Sequence, residues 1–362
     1  MAKAPGVSGR QSPEEVQRVS CVGSTIGARA VRIFQYFAFV VACAAPLFAL
    51  EDSPAASSSC FGPGTLVAID QPPSYTAHGF EASGSMASFG LIPIEFVQVG
   101  QKIHGGGKVQ ATMKFLIREP LYDVMGVHVS ASHALKLPGI EKFKRVQELH
   151  ERHKFPSVST GKADYVYNLI SESHRIFVVG EKFLEAADHM EADVAQEMLD
   201  ASLDQLNGGR GGRGPRSLRG GHAQEMRSCF PRETKVVLAD GSLKSIEKVQ
   251  PGDYLRQGGL VLGTMKLDGS LEPLYELPNG VVVSGSHAVR DPSDGVWRRA
   301  EFVEGAELID RRDGVIYNLI TENHRIIVAA DRGFLEAADF LEVDEADELH
   351  GRNLAVMNDE RW

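Results

Sequence analysis

Two cysteines stand where a thiol can act on its own chain. Cys229 opens "CFPRETKVVLADGSLKSIEKVQPGDYL" after an Arg/Gly-rich run, and Cys60 opens "CFGPGTLVAID" after a Ser/Ala-rich run. A thiol on the first residue of a domain can attack the carbonyl of the residue before it through a five-membered ring. The peptide bond becomes a thioester by an N-to-S acyl shift, and a thiol held in place has a high effective concentration at that carbonyl. Ser228 and Ser59 are then the acyl donors and mark the two candidate cleavage sites. An amide is a poor acceptor, so some group must protonate the leaving nitrogen; a histidine suits that task. His287 is the candidate for the Cys229 site and His133 for the Cys60 site. The hydroxyls of Ser284 and Ser130, each in a Ser-x-x-His motif, are placed to orient the peptide. A second histidine, His324 or His174, is a candidate base or later-step acid, and reads equally well as a structural residue. The thioester would be open to water, a small thiol or another nucleophile.

Plainer readings stand beside these. A lone cysteine is more often a small buried apolar residue, and a histidine after a serine on a strand is more often structural. Here both cysteines follow polar stretches that give no other reason for burial. The chain has four cysteines, Cys21, Cys43, Cys60 and Cys229, and no CxxC. That excludes a zinc ribbon or thioredoxin-type motif and is too few for a disulfide framework. No metal or cofactor is expected. The formal net charge of −10 argues against a nucleic-acid binder. Asp253, in "PGD", reads as a turn residue, and the two "FLEAAD" segments read as helix surface without catalytic work.

The elements that must position these residues occur twice. "EPLYDVMGVHVSASHAL" matches "EPLYELPNGVVVSGSHAV", "VYNLISESHRIFV" matches "IYNLITENHRIIV", and "KFLEAADHMEAD" matches "GFLEAADFLEVD", in the same order. "IPIEFVQVGQKI" and "ATMKF" likewise match "KSIEKVQPGDYL" and "GTMKL". His287 follows His133 by about 154 positions and His324 follows His174 by about 150, as a duplicated unit requires. Each copy is a series of short β-like runs, among them "TKVVLA", "GLVLGTMKL" and "VIYNLIT". Asp240-Gly241 and Asn279-Gly280 supply turn signals between such runs. The pattern predicts an all-β unit. After the last run of copy 1, "FLEAADHMEADVAQEMLDASLDQL" has apolar residues three and four apart, which predicts a helix.

With a leading Cys-Phe, a "SxSH" strand end and a "YNLxxExHR" strand in fixed order, each copy resembles a Hint module, the autoprocessing fold shared by hedgehog C-terminal domains and inteins. The resemblance covers about residues 60–190 and 229–345. It implies two tandem Hint-like β modules with short C-terminal helices, and self-cleavage through a thioester at Ser228–Cys229 and Ser59–Cys60. The chain's own polypeptide would be the substrate. Serine replaces the family's threonine at Ser284 and Ser130, which keeps the hydroxyl. Asn168 and Asn318 stand where inteins carry an aspartate. Neither copy ends in His-Asn before a nucleophile, so full splicing is not expected. The hedgehog aspartate that activates cholesterol has no counterpart, so neither is sterol transfer. The other readings are an inert Hint-fold binding or structural module and, more remotely, a cysteine hydrolase acting in trans.

The organisation that follows is a leader (1–32), an apolar run (33–50), a tether (51–59), a first module (60–206), a Gly/Arg-rich linker (207–228), a second module (229–345) and a tail (346–362). The run "IFQYFAFVVACAAPLFAL", with Arg29 and Arg32 before it, is roughly one bilayer span long. It predicts a signal peptide or signal anchor and a membrane-anchored or secreted protein; a buried helix is the alternative. A Pro/Gly/Ser-rich stretch, "QPPSYTAHGFEASGSMASFG", predicts a loop inserted in copy 1. Cleavage at Ser228–Cys229 is expected to separate the copies, with copy 2 the more compact of the two.

Overall fold

The computed structural model describes residues 59–70, 90–158, 165–190, 228–270 and 272–341. The leader, the apolar run at 33–50, the tether to residue 58, most of the inserted loop, the helix expected over 191–206, the linker to residue 227 and the tail lie outside them. Among the described residues the protein is all-β, with one α-helix, Val146–His153, which the sequence reading did not anticipate. No helix of the described residues is long and apolar enough to cross a membrane.

The two copies build the same sheets from equivalent strands. In copy 2, Leu243–Ser245, Lys235–Val237, Arg325–Ala330, Gly333–Ala338, Ala288–Arg290 and Trp297–Arg299 lie side by side in that order. In copy 1 the same order is Gly90–Pro93, Leu66–Ile69, Arg175–Val179, Phe183–Ala187, Ala134–Lys136 and Lys144–Arg145. A smaller three-stranded sheet is also repeated: Val127–Ser130, Leu121–Val124 and Ser157–Val158 in copy 1; Val282–Ser284, Leu274–Glu276 and Glu307–Ile309 in copy 2. The Asp240-Gly241 turn joins Lys235–Val237 to Leu243–Ser245, with Gly241 at φ 85° and Asp240 accepting from the Ser242 N–H at 2.9 Å. Asp253 is a turn residue, accepting from the Gln250 N–H at 2.8 Å.

The "FLEAAD" segments are strands, not helices: Phe183–Ala187 and Gly333–Ala338. Leu, Glu and Ala favour helix in isolation. Here Leu184 and Ala186 are buried, Glu185 points outward, and the segment pairs residue for residue with Arg175–Val179. Cross-strand pairing and burial override the local preference.

The copies are not separate bodies. The strand Gly107–Leu116 of copy 1 and Gly259–Asp268 of copy 2 pair antiparallel, flanked by Tyr165–Ser171 and Val315–Thr321. Both seam strands alternate between buried and outward residues; Ala111, Met113 and Phe115 face the cluster shared by the two copies, and Val109 the core of copy 1. Met113 pairs with Met265, its equivalent in the repeat, and Thr112 and Lys114 pair with Lys266 and Thr264. A half-turn about the Met113–Met265 pair therefore exchanges the copies along the seam. One apolar cluster spans it, holding Met113, Phe115, Ile170, Met265, Leu267, Ile320 and both Cys60 and Cys229.

Candidate active site

Sheet register brings the candidate residues together. Phe230 pairs with Tyr317, donating to its carbonyl at 2.9 Å and accepting from its N–H at 2.8 Å. Phe61 does the same with Tyr167, at 2.8 Å both ways. The residue that follows each tyrosine, Asn318 or Asn168, points to the opposite face of its strand. Its side-chain amide donates to the carbonyl oxygen of Ser228 or Ser59, the carbonyl that the thiol would attack. Its own Oδ1 accepts from the next backbone N–H, Leu319 at 2.7 Å or Leu169 at 2.8 Å, which fixes which end of the amide faces the carbonyl.

The other end of the same peptide bond is held by the serine. The Cys229 N–H donates to Ser284 Oγ at 2.8 Å and the Cys60 N–H to Ser130 Oγ at 2.9 Å. The serine N–H returns a bond to the cysteine carbonyl, at 3.0 Å in copy 2 and 2.9 Å in copy 1. The bond before each cysteine is thus gripped at its oxygen and at its nitrogen, twice, with the same partners.

The Ser-x-x-His turn holds the histidine next to that serine: the His287 N–H donates to the Ser284 carbonyl at 3.1 Å, and His133 to Ser130 at 3.2 Å. His287 Nε2 lies 2.8 Å from the Ala338 carbonyl, and His133 Nε2 lies 2.9 Å from that of Ala187. A ring nitrogen facing a carbonyl must carry the proton. In His287 that leaves Nδ1 as a lone pair, buried without a hydrogen-bond partner; in His133 Nδ1 is likewise buried, with the Ser59 backbone acting on the ring. Both rings are 0% exposed, and burial holds each pKa down at about 3. The carbonyl at Nε2 opposes that shift, while the nearby charge of Arg299 or Arg145 adds to it. His189 also depresses His133, and the Ser59 backbone acts on its ring in the raising direction. At neutral pH both imidazoles are uncharged bases. The phenylalanine after each cysteine packs on the ring, with centroids 4.4 Å apart for Phe230–His287 and 4.3 Å for Phe61–His133. Arg299 and Arg145 clamp the turn by donating to the carbonyls of Ser286 and Ser132, at 3.0 and 2.9 Å.

His324 and His174 are placed differently. Each has positive φ, 53° and 56°, and its Nδ1 meets a buried carboxylate, Asp339 or Asp188, at 3.1 Å. That carboxylate also accepts from the N–H of Thr321 or Ser171 and from that of Leu341 or Met190. Thr321 lies three residues beyond Asn318, about 10 Å along the strand. The pair therefore anchors the end of the strand whose last residue, Ala338 or Ala187, supplies the carbonyl to the Ser-x-x-His histidine.

Asn168, Asn318, Asp188 and Asp339 were not singled out as site residues from the sequence. The duplicated "YNL" and "AAD" carried the signal. Asn168 and Asn318 stand where inteins carry an aspartate, and the "FLEAAD" segments that hold Asp188 and Asp339 read as helix. Among the described residues no group of acidic, histidine and cysteine side chains could hold a metal ion. No protein-family model and no curated protein matches the chain.

Proposed function

We propose that each copy is a Hint-type module and that the chain cuts itself at Ser228–Cys229 and at Ser59–Cys60 through a thioester. The observation that carries this reading is the peptide bond before each cysteine, held at its oxygen by Asn318 or Asn168 and at its nitrogen by Ser284 or Ser130. A structural cysteine has no need of such a grip on the bond before it.

The steps balance. The Cys229 thiol gives its proton to Nδ1 of neutral His287 as sulfur attacks the Ser228 carbonyl. The negative charge that grows on the oxygen is met by the Asn318 amide, a donor already in place, in a dry site where such a bond is worth most. The imidazolium, supported at Nε2 by the Ala338 carbonyl, passes the proton to the Cys229 nitrogen. The C–N bond breaks, leaving a thioester at sulfur and an amine at nitrogen. Water or a small thiol then takes the acyl group and restores the cysteine thiol. His324 and Asp339 hold the strand end that fixes the His287 tautomer. The apolar run at 33–50 would bring the chain to a membrane, as anchor or as signal peptide.

The test is the full chain tagged at both ends, incubated with and without dithiothreitol and followed by intact mass and N-terminal sequencing. A fragment beginning at Cys229 or Cys60, absent from the matching Cys→Ala chain, is the expected result. An identical uncut chain for wild type and Cys229→Ala, with and without thiol, overturns the reading of copy 2. One observation favours the second reading, an inert module: both cysteines are 0% exposed, as a packing residue would be. A wild type that never yields fragments supports it.

A further inference from the structure

We propose that the two copies are a matched pair that stays together as a two-chain complex once Ser228–Cys229 is cut, through a seam built for copy 1 on copy 2 and poorly suited to either copy on itself. Self-cutting rests on the function proposed above; the pairing does not.

The seam strands pair over five residues about Met113 and Met265, and the apolar cluster beneath belongs to both copies. Two features break the equivalence of the halves. The first is steric. Gly263 of copy 2 faces Phe115 of copy 1, and a Cβ at Gly263 would lie 2.5 Å from the ring. The residue equivalent to Gly263 in copy 1 is Ala111, which instead faces the smaller Leu267 of copy 2. Copy 1 paired with itself would set Ala111 against Phe115 on both sides of the axis, a contact the ring's position forbids.

The second feature is electrostatic. Lys108 of copy 1 pairs with the largely buried Asp268 of copy 2. Burial pushes the Asp268 carboxyl up, but the bonds from Lys108 and Ser270 and the Lys108 charge outweigh it and hold it at about 2. In the repeat, Lys108 corresponds to Leu260 and Asp268 to Leu116. Copy 2 on itself would leave Asp268 facing leucine, without its cation, and copy 1 on itself would leave Lys108 without its anion. Lys114 adds a cross-copy bond to Gln250 Oε1 at 3.1 Å. A buried carboxylate that loses its cation is strongly disfavoured, whereas the half-exposed Lys108 can turn to water, so the charge pair argues chiefly against copy 2 on itself. Scission at Ser228–Cys229 would yield two fragments still joined by sheet and core, with the new amine of Cys229 inside.

The experiment uses the full chain in mild detergent, with a site for an added sequence-specific protease placed in the linker at 208–220 and Cys229→Ala blocking self-cutting. After the added protease acts, native mass spectrometry at micromolar concentration is expected to find both fragments in one particle. Separate fragments overturn the proposal, whatever the wild-type chain does with thiol. Gly263→Val is expected to weaken the cut complex at least tenfold while the uncut chain keeps its β circular dichroism. Should that variant fail to fold, Lys108→Met, a half-exposed change, is expected to weaken it at least threefold, and an unchanged affinity there counts against the seam. Two cut samples whose second halves carry different tags are then mixed. Pull-down on one tag is expected to bring the first half and little of the other-tagged second half; equal recovery of both overturns the matching.

Discussion

The asparagine that faces the scissile carbonyl offers the sharpest test of the chemistry. Asn318→Ala removes the donor to the Ser228 oxygen and, with it, the acceptor for the Leu319 N–H. The two losses act on different quantities. Loss of one preorganised donor at a developing oxyanion costs about 2.7–4 kcal/mol of transition-state stabilisation, about 10²–10³ in rate. The stranded Leu319 N–H costs stability, about 1–3 kcal/mol, and shows in a urea titration, not in the rate constant of the chain that stays folded. Asn318→Asp separates them further. It keeps an oxygen for Leu319 and nearly the same shape, but sets an acceptor against an acceptor unless the carboxyl is protonated. Its rate relative to wild type should therefore rise as pH falls. The assay is the first-order appearance of the Cys229 fragment at fixed dithiothreitol, read by intact mass. Asn168→Ala in the same chain is the control, since it should slow the Cys60 cut and leave the Cys229 cut unchanged. A folded Asn318→Ala chain that cuts within threefold of wild type would refute the oxyanion role.

Three other perturbations follow from the same geometry. His133 and His287 are held neutral at about 3 by burial, whereas in the unfolded chain they titrate near 6.5. The unfolded state therefore binds protons that the folded state refuses between those values, and stability falls as pH drops from about 6.5 to about 3, by on the order of 4–5 kcal/mol per histidine at the acid end. Urea titrations across that range should show it, and His287→Gln should remove about half of the slope; a flat profile in wild type contradicts the burial argument. Ser284→Ala strands the Cys229 N–H, costing about 1–3 kcal/mol. It should slow the Cys229 cut at least tenfold, while Ser284→Thr, which restores a hydroxyl, should not; equal rates for Ala and Thr would remove Ser284 from the mechanism. His189 stands beside His133 in copy 1, where copy 2 has Phe340, the two rings being 6.5 Å apart. The His189 charge depresses the pKa of His133, so His189→Phe should speed the Cys60 cut and leave the Cys229 cut unchanged; a Cys60 rate that does not change in that variant would sink this account.

Much of this site was legible because the repeat printed it twice. The strand at Val315–Thr321 coincides with "VIYNLIT", and the Asp240-Gly241 turn sits between the strands it was expected to join. Ser284 and Ser130 each accept from the N–H of the cysteine they were paired with, and His287 and His133 follow in the same turns. What escaped depends on distant partners. "LEAA" has the helix propensity of an exposed helix, and only the neighbouring strand makes it a strand. Asn318 looked like a lost carboxylate until the Phe230–Tyr317 pairing put its amide on the Ser228 oxygen. The seam was invisible for the same reason: "ATMKF" and "GTMKL" are easily matched as repeats, but nothing local says that they pair with each other.

That seam bears on what reaction the site can run. A hydrolase acting in trans needs an open cleft for a foreign peptide. Here the place beside the sulfur is filled by the chain's own Ser228–Cys229 bond, with Ser228 at 3% exposure and Cys229 and His287 at 0%. Such burial suits attack on the bond already present and excludes water from the thioester that results. In the proposed reaction the new amine would stay next to the sulfur, and since an amide is more stable than a thioester the acyl shift would run backward more readily than forward. Net cleavage then requires an acceptor to reach the site, either a thiol small enough to enter or water admitted when the structure opens locally. Since both cysteines sit in the cluster that the two copies share, the opening that matters is that of the seam. The rate of the overall reaction would then be set less by the chemistry at sulfur than by how tightly copy 1 holds copy 2.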